Sequence, residues 1–466
     1  MCRQQGSGVS NKLKANSLSF FESIIMGIAG SAPGFSIAVA IAGLLSTAGM
    51  VSPNALLIFA VPMLGIAVAY KGLSAKMANA GAAYEWTKSV FGGFLGYFSG
   101  WALLIAAMVF MVTGSVPLGT ATIDLFDPDL ASNVWLTTGI GAVWFIIIGL
   151  VLIAGIELTS KIQVVMSTIE LAILFVISIA AFLHSAGHGV NPFSLSWFGF
   201  NYPVGSFAPA ALATVFLYWG WDVTSNLAEE TKGQQYNAAG QGGFLSIFAT
   251  IAAFVAFTLA ALLMFSLKDA TGFSDNLIYH VAVAAGLGKA GGYAASLALI
   301  LSSVATLETT MLQFSRTLFA MGRDRALPPY FGQVSERTVT PVRTMYLLLV
   351  VGLVVILVSS FMPSISSILS DSVSAIAVQV CYYYGLAGLV CAWVYRDKLK
   401  TSLWGSLQYV LFPTASALTL FGLGLYALST FNLTVKIVGI GGLVIGILFY
   451  RPSGYGKRVA DILAEE

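Results

Sequence analysis

The stretch Met26-Gly27-Ile28-Ala29-Gly30-Ser31-Ala32-Pro33-Gly34-Phe35 lies inside the first long apolar run of the chain, residues 23–50. Proline lacks a backbone N–H and clashes with the preceding helical turn, and glycines lower helix propensity, so a helix is expected to break near Ala32-Pro33-Gly34. A break exposes polar backbone groups, which are tolerated at membrane depth only inside protein or beside a water-filled cavity. The pattern therefore indicates either a site or a simple proline kink packed against neighbours.

The composition explains why membrane depth is the relevant setting. The chain has 466 residues, of which 58% are hydrophobic and 9% are charged. Its charged residues lie mostly between apolar blocks, which predicts an all-α integral membrane protein with many spans. The net charge of +2 says little about partners.

Twelve apolar runs are long enough to cross a bilayer, for which about 20 helical residues are needed. They cover residues 23–50, 52–70, 93–118, 133–156, 162–183, 206–228, 243–267, 291–315, 344–363, 372–395, 404–428 and 433–450. A cytoplasmic N-terminus places nineteen of the 22 Lys and Arg residues inside and leaves Lys268, Lys289 and Lys436 outside. This asymmetry predicts that both termini are cytoplasmic.

The loop lengths show a second pattern. The connections 71–92 and 267–290 are both long and lie on opposite predicted sides of the membrane. This is expected if spans 1–5 and spans 6–10 are two halves of opposite topology, in which case span 6 is also broken. Span 6 contains Trp219-Gly220-Trp221-Asp222, a glycine between bulky aromatic residues. Two breaks in corresponding positions favour a transporter binding site.

This pattern predicts a five-plus-five inverted-repeat fold with two appended helices. The predicted parts are a cytoplasmic N-terminus (1–17), a first five-helix repeat (18–183), a second, inverted five-helix repeat (206–395), helices 11 and 12 (404–450), and a cytoplasmic C-terminus (451–466).

From residue 18 to residue 450 the chain resembles the amino acid–polyamine–organocation (APC) superfamily of secondary transporters, which share a leucine-transporter-like fold. Besides the two breaks, the motifs that carry the resemblance are residues 78–86, 92–101, 155–163, 219–230 and 316–328. The last, Arg-Thr-Leu-Phe-Ala-Met-Gly-Arg-Asp-Arg-Ala-Leu-Pro, is the most specific. The first break reads Ser-Ala-Pro-Gly and departs from the family's commoner Gly-Ser-Gly type. Pro33 therefore removes one backbone N–H where substrate would dock.

The resemblance implies a zwitterionic substrate held between the free ends of the broken helices, whose N–H and C=O groups carry partial charges. Its carboxylate would bind the amides around Ser31, Ala32 and Gly34. Its ammonium would bind carbonyls near Phe216 and Trp219, with Phe216 as the gate. The predicted substrate-binding residues are Gly30, Ser31, Ala32, Gly34, Phe216, Trp219 and Gly220.

Three carboxylates within the spans are candidate coupling or gating residues, since a charge at the membrane centre costs about 2.5–3.5 kcal/mol on insertion scales. Glu170 and Glu308 lie at similar depth, and the resemblance places their spans beside span 1. We hypothesise that Glu170 titrates during coupling and shares its proton with Glu308. The alternative is that Glu170 bonds Ser167 or Thr168 or faces water. Asp222 is expected to help close the inner gate.

Glu308 has a further interpretation, in which it faces the substrate cavity and pairs with a second ammonium group. Asp222 is a second candidate for that role. Glu229 and Glu230, at the end of span 6, are expected to be solvated.

The predicted function is a permease of the cell inner membrane that carries an amino acid by alternating access, either coupled to protons or exchanging one substrate for another. The alternative substrate is a polyamine, diamine or cationic amino acid, with Glu308 binding the second ammonium. No cofactor or metal is expected, and H⁺ is the candidate coupling ion. The expected partners are the small-molecule substrate and the lipid bilayer, with no nucleic acid; the oligomeric state stays open.

Three other classes of protein are disfavoured. A channel would carry a filter signature or a charged ring. A membrane enzyme would carry a catalytic motif such as HExxH or Gly-x-Ser-x-Gly, or a histidine within the spans. A nutrient sensor built on a transporter fold would be expected to carry an added soluble domain or tail.

Overall fold

Helices follow one another along the whole of the computed structural model, which describes residues 11–233, 236–273, 276–430 and 432–451. Of the predicted terminal segments 1–17 and 451–466, residues 1–10 and 452–466 lie outside the described residues. The α-helices are α1 (Phe20–Ser31), α2 (Pro33–Phe35), α3 (Ile41–Ala48), α4 (Ser52–Lys76), α5 (Ala83–Phe91), α6 (Gly93–Asp124), α7 (Val134–Ala154), α8 (Ile156–His188), α9 (Phe207–Leu217), α10 (Val223–Asn226), α11 (Ala238–Met264), α12 (Leu267–Gly272), α13 (Leu277–Ala282), α14 (Gly288–Arg323), α15 (Val342–Ser359), α16 (Ile365–Val394), α17 (Lys398–Thr401), α18 (Leu403–Ser406), α19 (Phe412–Thr430), α20 (Leu433–Lys436) and α21 (Gly442–Phe449).

Within these described ranges, nine helical segments are long and apolar enough to cross a bilayer. The predicted all-α character is therefore confirmed. Two further apolar helices, Phe207–Leu217 and Ile437–Phe449, are shorter and lie where the sequence predicts spans 6 and 12. The count of twelve spans stays a prediction.

Helix α1 begins at Phe20 because Ser19 and Glu22 cap it reciprocally. The Ser19 hydroxyl accepts a hydrogen bond from the Glu22 amide at 3.2 Å, and the Glu22 carboxylate accepts one from the Ser19 amide at 2.7 Å. This capping box satisfies two N–H groups that a helix start otherwise leaves unpaired. Glu22 thus acts at a helix N-terminus.

The predicted break in the first span is confirmed. Helix α1 ends at Ser31, and Ala32 takes the left-handed conformation with φ 48° and ψ 67°. Pro33 then occupies the first position of α2, where its missing N–H costs no helical hydrogen bond. A π-helical turn, Ser36–Ala40, leads into α3. The first apolar run is therefore two helical pieces joined at one left-handed residue.

A second break interrupts the predicted span 6. Helix α9 ends at Leu217, and the next helix, α10, starts only at Val223. Between them Gly220 has φ +105°, a conformation that favours glycine because it has no Cβ. The glycine between the aromatic residues is therefore the point at which the chain leaves the helix.

The two breaks contact each other directly. A Cβ atom added to Gly30 would lie 2.2 Å from the carbonyl oxygen of Gly220, and a Cβ added to Gly220 would lie 2.2 Å from the carbonyl oxygen of Gly30. Such a distance is too short for any side chain, so the backbones meet only because both residues are glycine. The contact brings the two interrupted helices together in the interior.

Helix α14 passes beside both breaks and bonds to each. The Thr306 hydroxyl donates to the carbonyl oxygen of Gly30 at 3.2 Å, and the Ser302 hydroxyl accepts from the Phe35 amide at 2.9 Å. About two turns further on, Gln313 donates its side-chain amide to the Asp222 carboxylate at 2.7 Å. These bonds satisfy backbone groups that the first break frees.

We predict that Gly30→Ala destabilises the protein, because the new methyl group must displace the Gly220 backbone. Overpacking of this kind costs typically about 1–3 kcal/mol. The matched control is Gly139→Ala on α7, where an added Cβ has no neighbour within 4 Å and where alanine improves helix propensity. The melting temperature in detergent should fall for Gly30→Ala and should stay the same or rise for Gly139→Ala. Equal melting of the two would contradict the close contact.

Candidate functional site

A cavity of about 480 Å³ lies beside the two breaks, at the opposite end of the first broken helix from Phe20. Its walls come from the helical piece after the first break, from α9 and from α16, with α12 and α19 at the rim. Phe35, just after the first break, and Phe216, just before the second, both line it. The cavity therefore leads toward the point where the breaks meet.

Buried aromatic rings separate the cavity from the backbone contact. Phe35 packs edge-on against Phe110 with ring centroids 5.9 Å apart, and Phe110 packs edge-on against Trp219 at 5.5 Å. The Trp219 indole donates to the Tyr383 hydroxyl at 2.5 Å. Phe216 lines the cavity, as expected of a gate residue. Its role in gating stays a prediction.

The backbone groups predicted to hold a substrate have partners inside the chain. The Gly34 amide donates to Oε1 of Glu170 at 2.8 Å, and the Ala32 amide donates to the carbonyls of Ile28 and Ala29. The Phe216 carbonyl accepts from the Trp219 amide at 3.0 Å. A carbonyl oxygen has two lone pairs and accepts a second donor. The Gly34 amide, in contrast, has one hydrogen, and a side-chain carboxylate holds it here.

Glu170 is buried on α8, with 1% of its surface exposed. It bonds to neither residue that the alternative interpretation names: the Thr168 hydroxyl donates to the Val164 carbonyl, and the Ser167 hydroxyl accepts from Gln163. Its partners are instead the Gly34 amide, which is the first free N–H after the first break, and the Ser302 side chain. A carboxylate at a helix N-terminus is favourable because the exposed N–H groups carry partial positive charge.

Glu308 lies elsewhere. It is 2% exposed, and neither of its carboxylate oxygens has a hydrogen-bond partner among the residues that the structure describes. Ser302, Thr306 and Gln313 of the same helix face the breaks. Two residues beyond Thr306 correspond to about 200° of helical rotation, so Glu308 points to the other side of α14. The structure does not bring Glu308 together with Glu170.

Asp222 is held by three donors just after the second break. It accepts from Gln313 at 2.7 Å, from the Tyr384 hydroxyl at 2.8 Å and from the Tyr383 hydroxyl at 3.2 Å, and it is fully buried. These bonds link the chain after the second break to α14 and α16. The sequence analysis missed the roles of both tyrosines. The available signal was a tyrosine run in an apolar span, since a buried Tyr hydroxyl usually finds a partner.

The expectation that Glu230 is solvated is wrong. Its carboxylate pairs with the Arg316 guanidinium through two bonds of 2.9 Å, and both side chains are 0% exposed. The sequence analysis placed the Arg316 charge in a cytoplasmic loop, whereas it lies inside α14. A fork-like guanidinium matches a carboxylate bidentately, which makes Arg suited to a buried pair.

Further ion pairs surround this one. Arg323 donates two hydrogen bonds to Glu229, at 2.8 and 3.0 Å, so Glu229 is also not simply solvated. Lys88 pairs with Asp324 and, at 2.6 Å, with Glu85. Burial raises the pKa of the Glu85 carboxyl above its usual value, while the Lys88 ammonium opposes that rise. Together these contacts join α5, α14 and the segment after α10.

An amide network completes the connection at this end. Asn226 donates to the Ala80 carbonyl at 2.8 Å and to the Thr317 hydroxyl at 3.0 Å, and the Ala80 amide donates to Glu229 at 2.9 Å. These bonds join α10 and the segment after it to the loop before α5 and to α14. The end near the start of α1 is therefore tied shut, whereas the cavity opens at the other end.

We predict that Arg316→Met destabilises the protein strongly, because it leaves the Glu230 carboxylate buried without a partner. Breaking a buried pair from one side costs about 3–5 kcal/mol, whereas replacing both partners by apolar residues is often neutral. The double variant Arg316→Met/Glu230→Leu should therefore melt close to the wild type.

The control for this prediction is Lys14→Met, which removes the ion pair between Lys14 and Glu157. The two side chains are 44% and 53% exposed, so the melting temperature should change little. If Arg316→Met melted no lower than Lys14→Met, the buried pair would not hold this end together.

Comparison with known proteins identifies the family. A family model described as amino acid permease matches residues 18–449, which include both breaks, the cavity and the ion pairs. Cationic amino acid transporter 5 of Arabidopsis thaliana is 28% identical over 232 residues, which cover 48% of this chain and 39% of the relative. Cationic amino acid transporter 4, vacuolar, of the same plant is 25% identical over 303 residues, which cover 60% of this chain and 48% of the relative.

A bacterial relative aligns over more of its length. The branched-chain amino acid permease BcaP of Lactococcus lactis subsp. cremoris is 25% identical over 422 residues, which cover 84% of each chain. The chain spans less than half the length of the two plant relatives. The family match confirms the resemblance to the APC superfamily, whose permeases are multi-pass membrane transporters and not enzymes. The chain belongs to the amino acid permease family.

Proposed function

We propose that this protein is a secondary active transporter that carries an amino acid across the cytoplasmic membrane by alternating access. The observation that carries the proposal is the direct contact between Gly30 and Gly220. It brings two interrupted helices together below a cavity, and paired interruptions at the midplane are the usual construction of a transporter site. The free ends of such helices offer N–H groups to a carboxylate and C=O groups to an ammonium.

The proposed architecture has twelve spans. Inverted five-helix repeats cover 18–183 and 206–395, and two appended helices cover 404–450. The protein would lie in the cell inner membrane with both termini in the cytoplasm. The positions of the breaks support it, because each falls in the first span of its predicted repeat. In this orientation the end tied by ion pairs faces the cytoplasm and the cavity faces outward.

Alternating access requires the tied end to open. The pairs Arg316–Glu230 and Arg323–Glu229 and the Asp222 cluster all cross between α14 and the chain after the second break. Opening toward the cytoplasm would separate these partners while the cavity end closes over Phe216. A substrate drives such a change only if it binds one arrangement better than the other.

The proposed coupling rests on the single hydrogen of the Gly34 amide. Ionised Glu170 holds that hydrogen, so a substrate carboxylate and Glu170 compete for one donor. Protonation removes the negative charge of Glu170 and weakens its hydrogen bond from the Gly34 amide. The amide can then donate to the substrate carboxylate. One proton would then enter with each amino acid. Glu308, on the other side of α14, takes no part in this step.

Uptake of labelled amino acids into sealed proteoliposomes tests transport itself. A mixture of the common amino acids should accumulate inside protein-containing vesicles, with saturation and with counterflow when the vesicles are preloaded. Protein-free vesicles are the control. Flux that neither saturates nor shows counterflow would indicate a channel, and no flux of any amino acid would contradict the proposal.

Glu170→Gln tests the coupling. Glutamine keeps an oxygen that accepts from the Gly34 amide but cannot carry the proton, so exchange should persist while an inward pH gradient no longer drives accumulation. Thr168→Val, an exposed change on the same helix, is the matched control. If a pH gradient drove the Gln variant as strongly as wild type, Glu170 would not be the coupling group.

A further inference from the structure

The wall of the cavity carries no Asp, Glu, Lys, Arg or His side chain among the residues that the structure describes. Its lining consists of apolar residues, one tyrosine, a proline, a glycine and the hydroxyl residues Ser46, Thr47, Thr271, Ser374 and Thr430. A volume of about 480 Å³ is within the range of roughly 300–1,000 Å³ typical of small-molecule sites. The cavity therefore offers apolar contact and neutral hydrogen bonds to whatever enters it.

Two of the carboxylates inside the protein, Glu170 and Asp222, accept hydrogen bonds from other parts of the chain and do not line the cavity. Glu170 is engaged by the Gly34 amide, and Asp222 is engaged by Gln313, Tyr383 and Tyr384. Asp222 is also fully buried beneath the aromatic rings. Neither the Glu170 carboxylate nor the Asp222 carboxylate lines the cavity.

Glu308 is the remaining candidate for a cation ligand, and its position argues against that role. It does not line the cavity, and it points away from the breaks by about 200° of rotation from Thr306. A substrate in the cavity would have to cross α14 to reach it.

Among the residues that the structure describes, two acids are close in sequence to cavity-lining residues, and both bond elsewhere. Asp371 sits on α16 between cavity-lining Leu369 and Val373, about 200° around the helix from Leu369, and it accepts from Asn432 at 2.9 Å. Asp269 on α12 accepts from the Ser266 hydroxyl at 2.6 Å. Neither lines the cavity.

We infer that the cavity selects a neutral amino acid with an apolar side chain and excludes cationic amino acids and diamines. This inference rests on the proposed function and names its substrate class. An ammonium group that enters an apolar cavity loses its hydration, and no opposite charge compensates for that loss. A leucine side chain, in contrast, gains from leaving water.

The test is uptake of labelled leucine in the presence of excess unlabelled competitors. Valine, isoleucine and phenylalanine should compete, whereas lysine, arginine and putrescine should be weaker competitors by roughly 100-fold, the penalty expected for an unpaired charge at membrane depth. Lysine or putrescine competing as well as valine would overturn the inference.

A second test introduces a charge into the cavity wall. Ala213 lies on α9 and lines the cavity, so Ala213→Asp places a carboxylate there. The ratio of lysine to leucine uptake should rise at least tenfold in this variant. Ala213→Asn, of equal size and without charge, should keep the wild-type ratio whatever its total rate. An unchanged ratio in Ala213→Asp would overturn the assignment of this cavity.

Thermal melting with each ligand separates failure of the inference from failure of transport. A ligand that binds only the native state raises the melting temperature. Stabilisation by leucine but not lysine, without vesicle uptake, would uphold the substrate class and contradict transport. Uptake of lysine in preference to leucine would uphold transport and contradict the substrate class. Neither binding nor uptake of any amino acid, neutral or cationic, would overturn both.

Discussion

The structure depends on one constraint: the backbones of Gly30 and Gly220 approach so closely that neither position has room for a Cβ atom. In a membrane, broken helices expose N–H and C=O groups that water cannot satisfy. Bringing the two breaks together, with α14 donating from Thr306 and accepting at Ser302, pairs most of these groups inside the protein. The Gly34 amide is the informative one, because Glu170 holds it and a substrate carboxylate would need it.

The two ends of the molecule differ in chemistry. One end has bidentate Arg–Glu pairs, one of them fully buried at Arg316 and Glu230. Buried pairs of this kind contribute little net stability over apolar packing but strongly penalise any arrangement that separates the partners. The other end has a cavity of about 480 Å³ bounded by apolar and hydroxyl side chains. A directional lock at one end and an open cavity at the other are what one state of an alternating-access cycle requires.

The sequence predicted the helical character, both breaks and the family, because proline, glycine and apolar run length act locally. It did not predict where Glu308 points, since the direction of a side chain on α14 depends on how that helix packs against its neighbours. The buried state of Glu230 was missed for a related reason: its partner Arg316 is 86 residues away in the chain, and only the fold brings them together. The roles of Tyr383 and Tyr384 were missed because an apolar run alone does not show which hydroxyls meet a carboxylate.

In the proposed mechanism a neutral amino acid binds in the cavity beside the two breaks. The most direct measurement is an electron cryo-microscopy structure of the protein in lipid with saturating leucine. We expect ligand density between Phe35 and Phe216, with the carboxylate of the ligand directed at the Gly34 amide. Density on the far side of α14 beside Glu308, or an empty cavity under conditions where leucine is transported, would contradict it.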